Sequence, residues 1–112
     1  MGRTISIAKK ITVSAGDSGT TTLYEVENAN KFTLKRVIFH FPPGTNGNVG
    51  LAIRKGIKDV CPDQGLVYGE DVKIDLGAEV EFVSGEEVLV YYINADASNS
   101  YDIIVAVEGV IE

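Results

Sequence analysis

"FTLKRVIFHFPPGTNGNVGLAIRKG", residues 32–56, contains two apolar segments separated by a turn-rich stretch. Phe32 and Leu34 alternate with polar residues, and the alternation resumes from Val37 in a shifted phase. The shift predicts a β-bulge near Lys35-Arg36, because one extra residue re-aims every side chain that follows it. The stretch "PPGTNGN" is rich in the residues that form turns. The whole segment therefore predicts two β-strands joined by a loop.

The same period-2 alternation recurs along the chain, and none of its segments has a helical period. Further strands are predicted within 5–13, 22–27, 72–82, 88–94 and 101–112, and residues 55–71 are predicted to be rich in loops. About eight short strands with turns between them predict an all-β fold, an antiparallel, jelly-roll-like β-sandwich. We expect a single domain over 1–112, in which 1–10 forms an N-terminal arm or an edge strand.

Two of these segments, 88–93 and 103–107, are apolar on both faces. An antiparallel sheet with one wet face alternates, so these segments predict a cover on the second face as well. The cover is an edge of the other sheet, a long loop or a neighbouring subunit.

The composition excludes several classes of function. The net charge of −6 disfavours nucleic acid as a partner, since phosphate binding depends on Lys and Arg. No apolar segment approaches the length of a membrane span, and the N-terminal residues do not resemble a secretion signal, so we expect no membrane partner and synthesis in a reducing cell interior. The single cysteine rules out an intrachain disulfide. The absence of Trp and the single Gln favour a thermophilic source.

"GDSG", residues 16–19, is shared with the nucleophile segments of serine hydrolases. A serine nucleophile needs a base, and the one histidine of the chain, His40, lies within a predicted strand. The segment is better explained as a hairpin turn, so we predict no catalytic residues and no enzyme.

No cofactor and no metal site is predicted either. One His and one Cys are a poor basis for a transition-metal centre. A calcium ion remains the alternative, with oxygen ligands from Asp96, Asn99 and Asp102 or from Glu70 and Asp71.

The order of features from Leu23 to Val110 resembles that of small β-sandwich structural and decoration proteins from tailed phages and thermophilic or archaeal viruses. The residues that carry the resemblance are Phe41-Pro42-Pro43-Gly44, Gly50 to Arg54 with Gly56, Pro62, Gly69-Glu70-Asp71, and Tyr92-Ile93-Asn94 followed by Asp96. The resemblance implies a virion protein without enzymatic activity, most closely a capsid decoration (cement) protein. Such a protein binds the viral major capsid protein as a homo-oligomer, with a trimer favoured, and stabilises the shell.

The residues expected at the subunit or capsid interface come from the N-terminal segment and from the doubly apolar strands. They are Arg3, Ile5, Ile7, Lys9, Lys10, Leu89, Tyr91, Ile93 and Ile104. In the alternative function, a carbohydrate- or host-recognition module, the loops at the sheet ends bind the ligand. The residues of that alternative are Asn46, Asn48, Asp63, Tyr68, Asp96 and Asn99.

Overall fold

The computed structural model describes residues 2–62 and 65–112, and within them it contains nine β-strands. The strands are β1 (Arg3–Val13), β2 (Ser18–Glu25), β3 (Lys31–Phe41), β4 (Val49–Lys55), β5 (Lys58–Cys61), β6 (Val67–Tyr68), β7 (Val72–Val83), β8 (Glu87–Asn94) and β9 (Tyr101–Ile111). No helix in the described residues is long and apolar enough to cross a membrane.

The strands form two antiparallel sheets packed face to face. The first sheet has the order β1-β9-β3-β7, and the second has the order β2-β8-β4-β5, with β6 also paired to β4. From β1 to β4 and again from β7 to β9, each strand lies in the opposite sheet from the one before it. This is the strand order of a jelly roll, and β5 and β6 together take the place of one strand beside β4. The predicted eight-strand, jelly-roll-like sandwich is confirmed.

The alternation of β3 supplies the centre of the core. Phe32, Leu34, Val37, Phe39 and Phe41 are fully buried between the sheets. The pairing of β3 with both neighbours shifts between Leu34 and Arg36, which places a bulge at Lys35. The predicted bulge is confirmed, and it allows Leu34 and Val37 to point the same way although three positions separate them.

The two strands at the edges of the first sheet are both long. β1 pairs with β9 over its whole length, from Arg3 opposite Ile111 to Val13 opposite Tyr101. Residues 3–10 are therefore part of an edge strand in this structure. The other edge, β7, pairs with β3 alone.

One sequence prediction is wrong. Residues 16–19, expected to form a hairpin turn, do not join two paired strands: 14–17 connect β1 in the first sheet to β2 in the second, and Ser18 and Gly19 begin β2. Gly16 has a positive φ, as expected for a glycine in a turn. The residues of a turn do not show which sheet the next strand joins. The segment 55–71, predicted to be rich in loops, also contains the short strands β5 and β6.

The cover over β4 comes from the same chain. Gly50 and Ala52 are buried, although the register places them on the outer face of the second sheet. A Cβ atom added at Gly50 would lie 2.7 Å from the Tyr68 ring and 3.0 Å from the Leu66 side chain. Leu66 and β6 therefore shield the outer face of β4, a strand for which no cover was predicted. The outer faces of β8 and β9 stay more open, and Ile104 is 42% exposed there.

Candidate functional site

The residues that a serine hydrolase would need are separated by the fold. Ser18 begins β2 and pairs with Ile93 on the outer face of the second sheet. His40 lies on the outer face of the first sheet, between Ile104 and Lys73. The sheets of a sandwich are about 10 Å apart, and these two side chains point away from each other. Ser18 and His40 thus do not form a nucleophile and base pair.

Asp102, one of the proposed calcium ligands, already has partners on the first sheet. It accepts a hydrogen bond from Thr12 Oγ1 at 2.7 Å and faces Lys10 Nζ at 3.9 Å. The described residues contain no group of three His, Cys, Asp or Glu side chains that could hold a metal ion.

Asp96 organises the loop between β8 and β9. Its carboxylate accepts hydrogen bonds from the backbone N–H groups of Ser98 and Asn99, from the Asn99 amide, and from Tyr101 Oη at 2.6 Å. These donors, the Tyr101 hydroxyl above all, lower the pKa of Asp96 from 3.8 to about 2. The same bond raises the pKa of Tyr101.

Glu70 performs the same role for the loop between β3 and β4. Its carboxylate accepts hydrogen bonds from the backbone N–H groups of Asn46 at 2.5 Å and Gly44 at 2.9 Å, and from Thr45 Oγ1. The two backbone donors lower the pKa of Glu70 below its usual value. Tyr101 Oη also approaches the Gly44 carbonyl at 3.0 Å, which joins this loop to the Asp96 loop.

These loops meet at one end of the sandwich, which we call the loop end (residues 14–17, 42–48, 69–71 and 95–100). Asn94, buried at its base, donates hydrogen bonds from its amide to the carbonyls of Val13, Ser14 and Asn99. Four of the six residues of the recognition alternative lie at the loop end: Asn46, Asn48, Asp96 and Asn99. Tyr68 lies on β6, and Asp63 lies outside the described residues.

The predicted interface residues fall in three separate places. Leu89, Tyr91 and Ile93 share the outer face of the second sheet, since their register partners include the outward residues of β2 and β4. Ile104 and Lys10 lie on the outer face of the first sheet, on the opposite side of the sandwich. The remaining four, Arg3, Ile5, Ile7 and Lys9, occupy the inward-facing positions of β1 at the open edge of the sandwich.

A charged contact crosses the apolar outer face of the second sheet. The Arg54 guanidinium lies 3.9 Å from the centre of the Tyr91 ring and donates a hydrogen bond to Asp59 Oδ1 at 2.6 Å. A cation stacked on an aromatic ring and also paired to a carboxylate holds both side chains flat against the sheet. Sequence reasoning missed this contact, because Asp59 had been placed in a loop.

A concavity lies at the opposite edge from β1, where β5 of the second sheet faces β7 of the first. We call it the edge groove; its volume is about 640 Å³. Half-buried Val60 and Val80 contribute apolar surface to it. Its charged lining is formed by Lys55, Lys58, Asp59, Glu79, Glu81 and Glu86, an excess of two negative charges. One feature of the sequence indicates the hairpin beside this groove: in "KGIK", residues 55–58, Gly-Ile is typical of a two-residue hairpin turn.

No protein-family model and no curated protein matches the chain. Solved structures of viral particles share its fold. A chain of the Sulfolobus Turreted Icosahedral Virus matches 97% of this chain with a TM-score of 0.62 and 11% identity, and the match covers only 29% of the viral chain.

Two further capsid structures match over most of both chains. In the acid-stable capsid of Helicobacter pylori bacteriophage KHP30, the match covers 98% of this chain and 93% of the phage chain, with a TM-score of 0.59 and 10% identity. In the capsid of cyanophage Pam1 it covers 97% and 85%, with a TM-score of 0.60 and 12% identity. The chain therefore has the fold of viral capsid proteins, as the sequence resemblance implied.

Proposed function

We propose that the chain is a structural protein of a virion and serves as a capsid decoration (cement) protein. It binds the outer surface of the shell as a homotrimer, its partner is the viral major capsid protein, and it stabilises the assembled particle. It has no catalytic role, and after synthesis in the host cytoplasm it resides in the virion.

The observation that carries the proposal is the match to the bacteriophage KHP30 capsid, which covers nearly the whole of both chains. A single jelly roll of this size therefore occurs as a complete chain in a viral particle. The hydrogen-bonded loop end supports the same function. A decoration protein needs a rigid shape, because binding then costs little conformational entropy.

The mechanism is differential binding. A protein that contacts neighbouring shell subunits binds the closed shell more tightly than separated subunits, so its binding free energy opposes shell opening. A specific interface needs about 1,200–2,000 Å² of buried surface, which several small contacts can supply together in an oligomer.

We assign the shell contact to β1 and its surroundings. Residues 1–41 contain six basic and three acidic residues, whereas residues 42–112 contain four basic and thirteen acidic ones. Arg3, Lys9 and Lys10 make β1 a basic edge on an acidic protein, which suits an acidic shell surface. Electrostatic complementarity of this kind sets orientation and association rate.

The test uses empty shells assembled from the major capsid protein of the same virus. We expect saturable binding of the wild-type protein and a higher temperature of shell disruption, measured by dye access to the interior. Wild-type protein that does not bind the shells would overturn the proposed function.

A matched pair of variants tests the contact surface. Lys10 and Lys73 are exposed lysines at opposite edges of the first sheet, in one row with Ile104 and His40 between them. Lys10→Glu is expected to weaken shell binding at least tenfold, whereas Lys73→Glu leaves it unchanged. Equal effects of the two variants on shell binding would contradict the assignment of the shell contact to β1.

The alternative function, carbohydrate or host recognition, is favoured by one observation, the convergence of the loops at the loop end. Rigid loops on a sandwich commonly carry recognition. A glycan array probed with the isolated protein tests it. Binding that is lost in Asn46→Ala and Asn99→Ala would favour recognition over decoration.

A further inference from the structure

The tip of the hairpin between β4 and β5 presents an unusual side chain. Lys55 pairs with Lys58, which leaves Gly56 and Ile57 as the two turn residues. Gly56 has a φ of 65°, as a tight hairpin turn requires. Ile57 is 97% exposed, far more than any other large apolar residue of the described chain. Polar residues are usual at such a tip. Because the isoleucine side chain stays in water, it does not stabilise the monomer.

The edge groove lies beside the same hairpin, whose Gly56 and Lys58 form part of its lining. Val60 and Val80 lie between the charged side chains of its rim. The groove is far too large for one isoleucine side chain, but it accommodates the tip of a hairpin with its flanking residues. It also lies at an open side of the sandwich, so a neighbouring molecule can reach it without displacing a strand.

The charges of the tip and the groove are complementary. Lys58 flanks the tip and forms no ion pair within residues 2–62 and 65–112. Glu79 pairs with Lys35 and Glu81 with Lys31, and their side chains remain 70% and 58% exposed. A carboxylate can accept about four hydrogen bonds, so both glutamates retain room for a second cation.

We propose that the hairpin tip of one subunit inserts into the edge groove of a second copy of this chain, with Ile57 packed on Val60 and Val80 and with Lys58 facing Glu79. The inference rests on the oligomer of the proposed function and identifies its interface. A threefold arrangement, in which each subunit gives its tip to one neighbour and its groove to the other, closes this contact into the trimer of the proposed function. Burial of an exposed isoleucine supplies the apolar part of the association.

The first experiment measures solution mass by light scattering over a concentration series. Wild-type protein is expected at three times the chain mass of 12.0 kDa. Ile57→Asp is expected to be monomeric, or to dissociate at concentrations at least 100-fold higher than wild type. The matched control is Val72→Asp, which places the same charge at an exposed valine at the start of β7, outside the groove lining, and should retain the wild-type mass.

A charge exchange tests the pairing directly. Lys58→Glu and Glu79→Lys are each expected to weaken association, and the double variant is expected to restore it, because the opposite charges face each other again across the interface. Thermal melts of all variants show whether each is folded. Additive losses in the double variant would contradict the pairing.

The results separate this inference from the proposed function. Wild-type protein that is monomeric at every concentration, or Ile57→Asp that keeps the wild-type mass, overturns the interface. Shell binding is measured independently on the same samples, and binding by a monomer would leave the decoration function in place while the interface fails. A third outcome is a monomeric wild-type protein that binds shells, together with an Ile57→Asp variant that does not. This outcome would show that the tip contacts the capsid protein, and it would overturn the interface with a second copy.

Discussion

Asp96 shows how single residues at the loop end make the loops rigid. Its carboxylate accepts four hydrogen bonds, and the Tyr101 hydroxyl that donates one of them also reaches the Gly44 carbonyl of another loop. The charged form is favoured by every one of these donors. The geometry of two loops therefore depends on the ionisation of one half-buried carboxylate.

Acid is expected to destabilise the loop end. The pKa of Asp96 falls from 3.8 to about 2 on folding, so its contribution to stability is complete above about pH 4 and is lost as the pH falls towards 2. Thermal melts between pH 5 and pH 2 should show a falling midpoint in this window. In Asp96→Asn the fall should be shallower, and in Glu25→Gln, which removes an exposed charge from the end of β2, it should match wild type. Parallel curves for wild type and Asp96→Asn would contradict the prediction.

Gly109 lies opposite the bulge in β3, where a side chain has no room. A Cβ atom there would lie 2.3 Å from the Thr33 carbonyl oxygen and 2.6 Å from the Phe32 ring. Gly109→Ala is expected to lower the free energy of unfolding by about 1–3 kcal/mol, measured by chemical denaturation. Gly77→Ala lies on β7, on the other side of β3; its added Cβ meets nothing within 4 Å and should change the free energy of unfolding by less than about 1 kcal/mol. Equal losses would show that the close approach at Gly109 is not the cause.

At the scale of the element, β1 carries a built-in protection against edge pairing. Lys9 occupies an inward-facing position between Ile7 and Ile11, where the alternation calls for an apolar residue. Its Nζ reaches out to the Thr22 carbonyl of the second sheet at 3.3 Å. An inward-pointing lysine on an edge strand discourages a further strand from pairing there.

Lys9→Val is therefore expected to promote growth beyond the wild-type oligomer. Time-resolved light scattering should show particles that enlarge with concentration. The control is Thr4→Val, which adds an apolar group on the outer face of the same strand without removing the lysine. A Lys9→Val sample that keeps the wild-type size would assign the protection of this edge to other residues.

At the scale of the whole molecule, the jelly roll brings together residues that are distant in sequence. β1 pairs with β9, the last strand, and each of β2 and β3 lies beside a strand from the C-terminal third. Such pairings close long loops before they gain contacts, so they slow folding.

Refolding is accordingly expected on a scale of roughly milliseconds to seconds, in contrast to the microseconds of small helical bundles. The chain has five tyrosines and no tryptophan, so tyrosine fluorescence in a stopped-flow instrument provides the signal. Measurements at several protein concentrations separate folding of the chain from subunit association. A dominant phase in microseconds would contradict the topological argument.

The sequence by itself determined the strands and their inward faces, because alternation and turn residues are local signals. It located the bulge at Lys35 and the class of fold, since a period-2 pattern broken by turns has few packed solutions. It did not locate β5, because Val60 and Cys61 are too few to show a period.

Only the tertiary structure decided which residues meet. It placed Leu89 and Ile104 on opposite sides of the sandwich, brought Asp96 and Glu70 to one end, and opened a groove between β5 and β7 beside Ile57. The alternation predicts whether a side chain faces the core or the solvent, but it does not predict which sheet the strand joins. Most connections pass from one sheet to the other, and this decides which residues become neighbours. Which sheet each strand joins depends on the packing of the whole core.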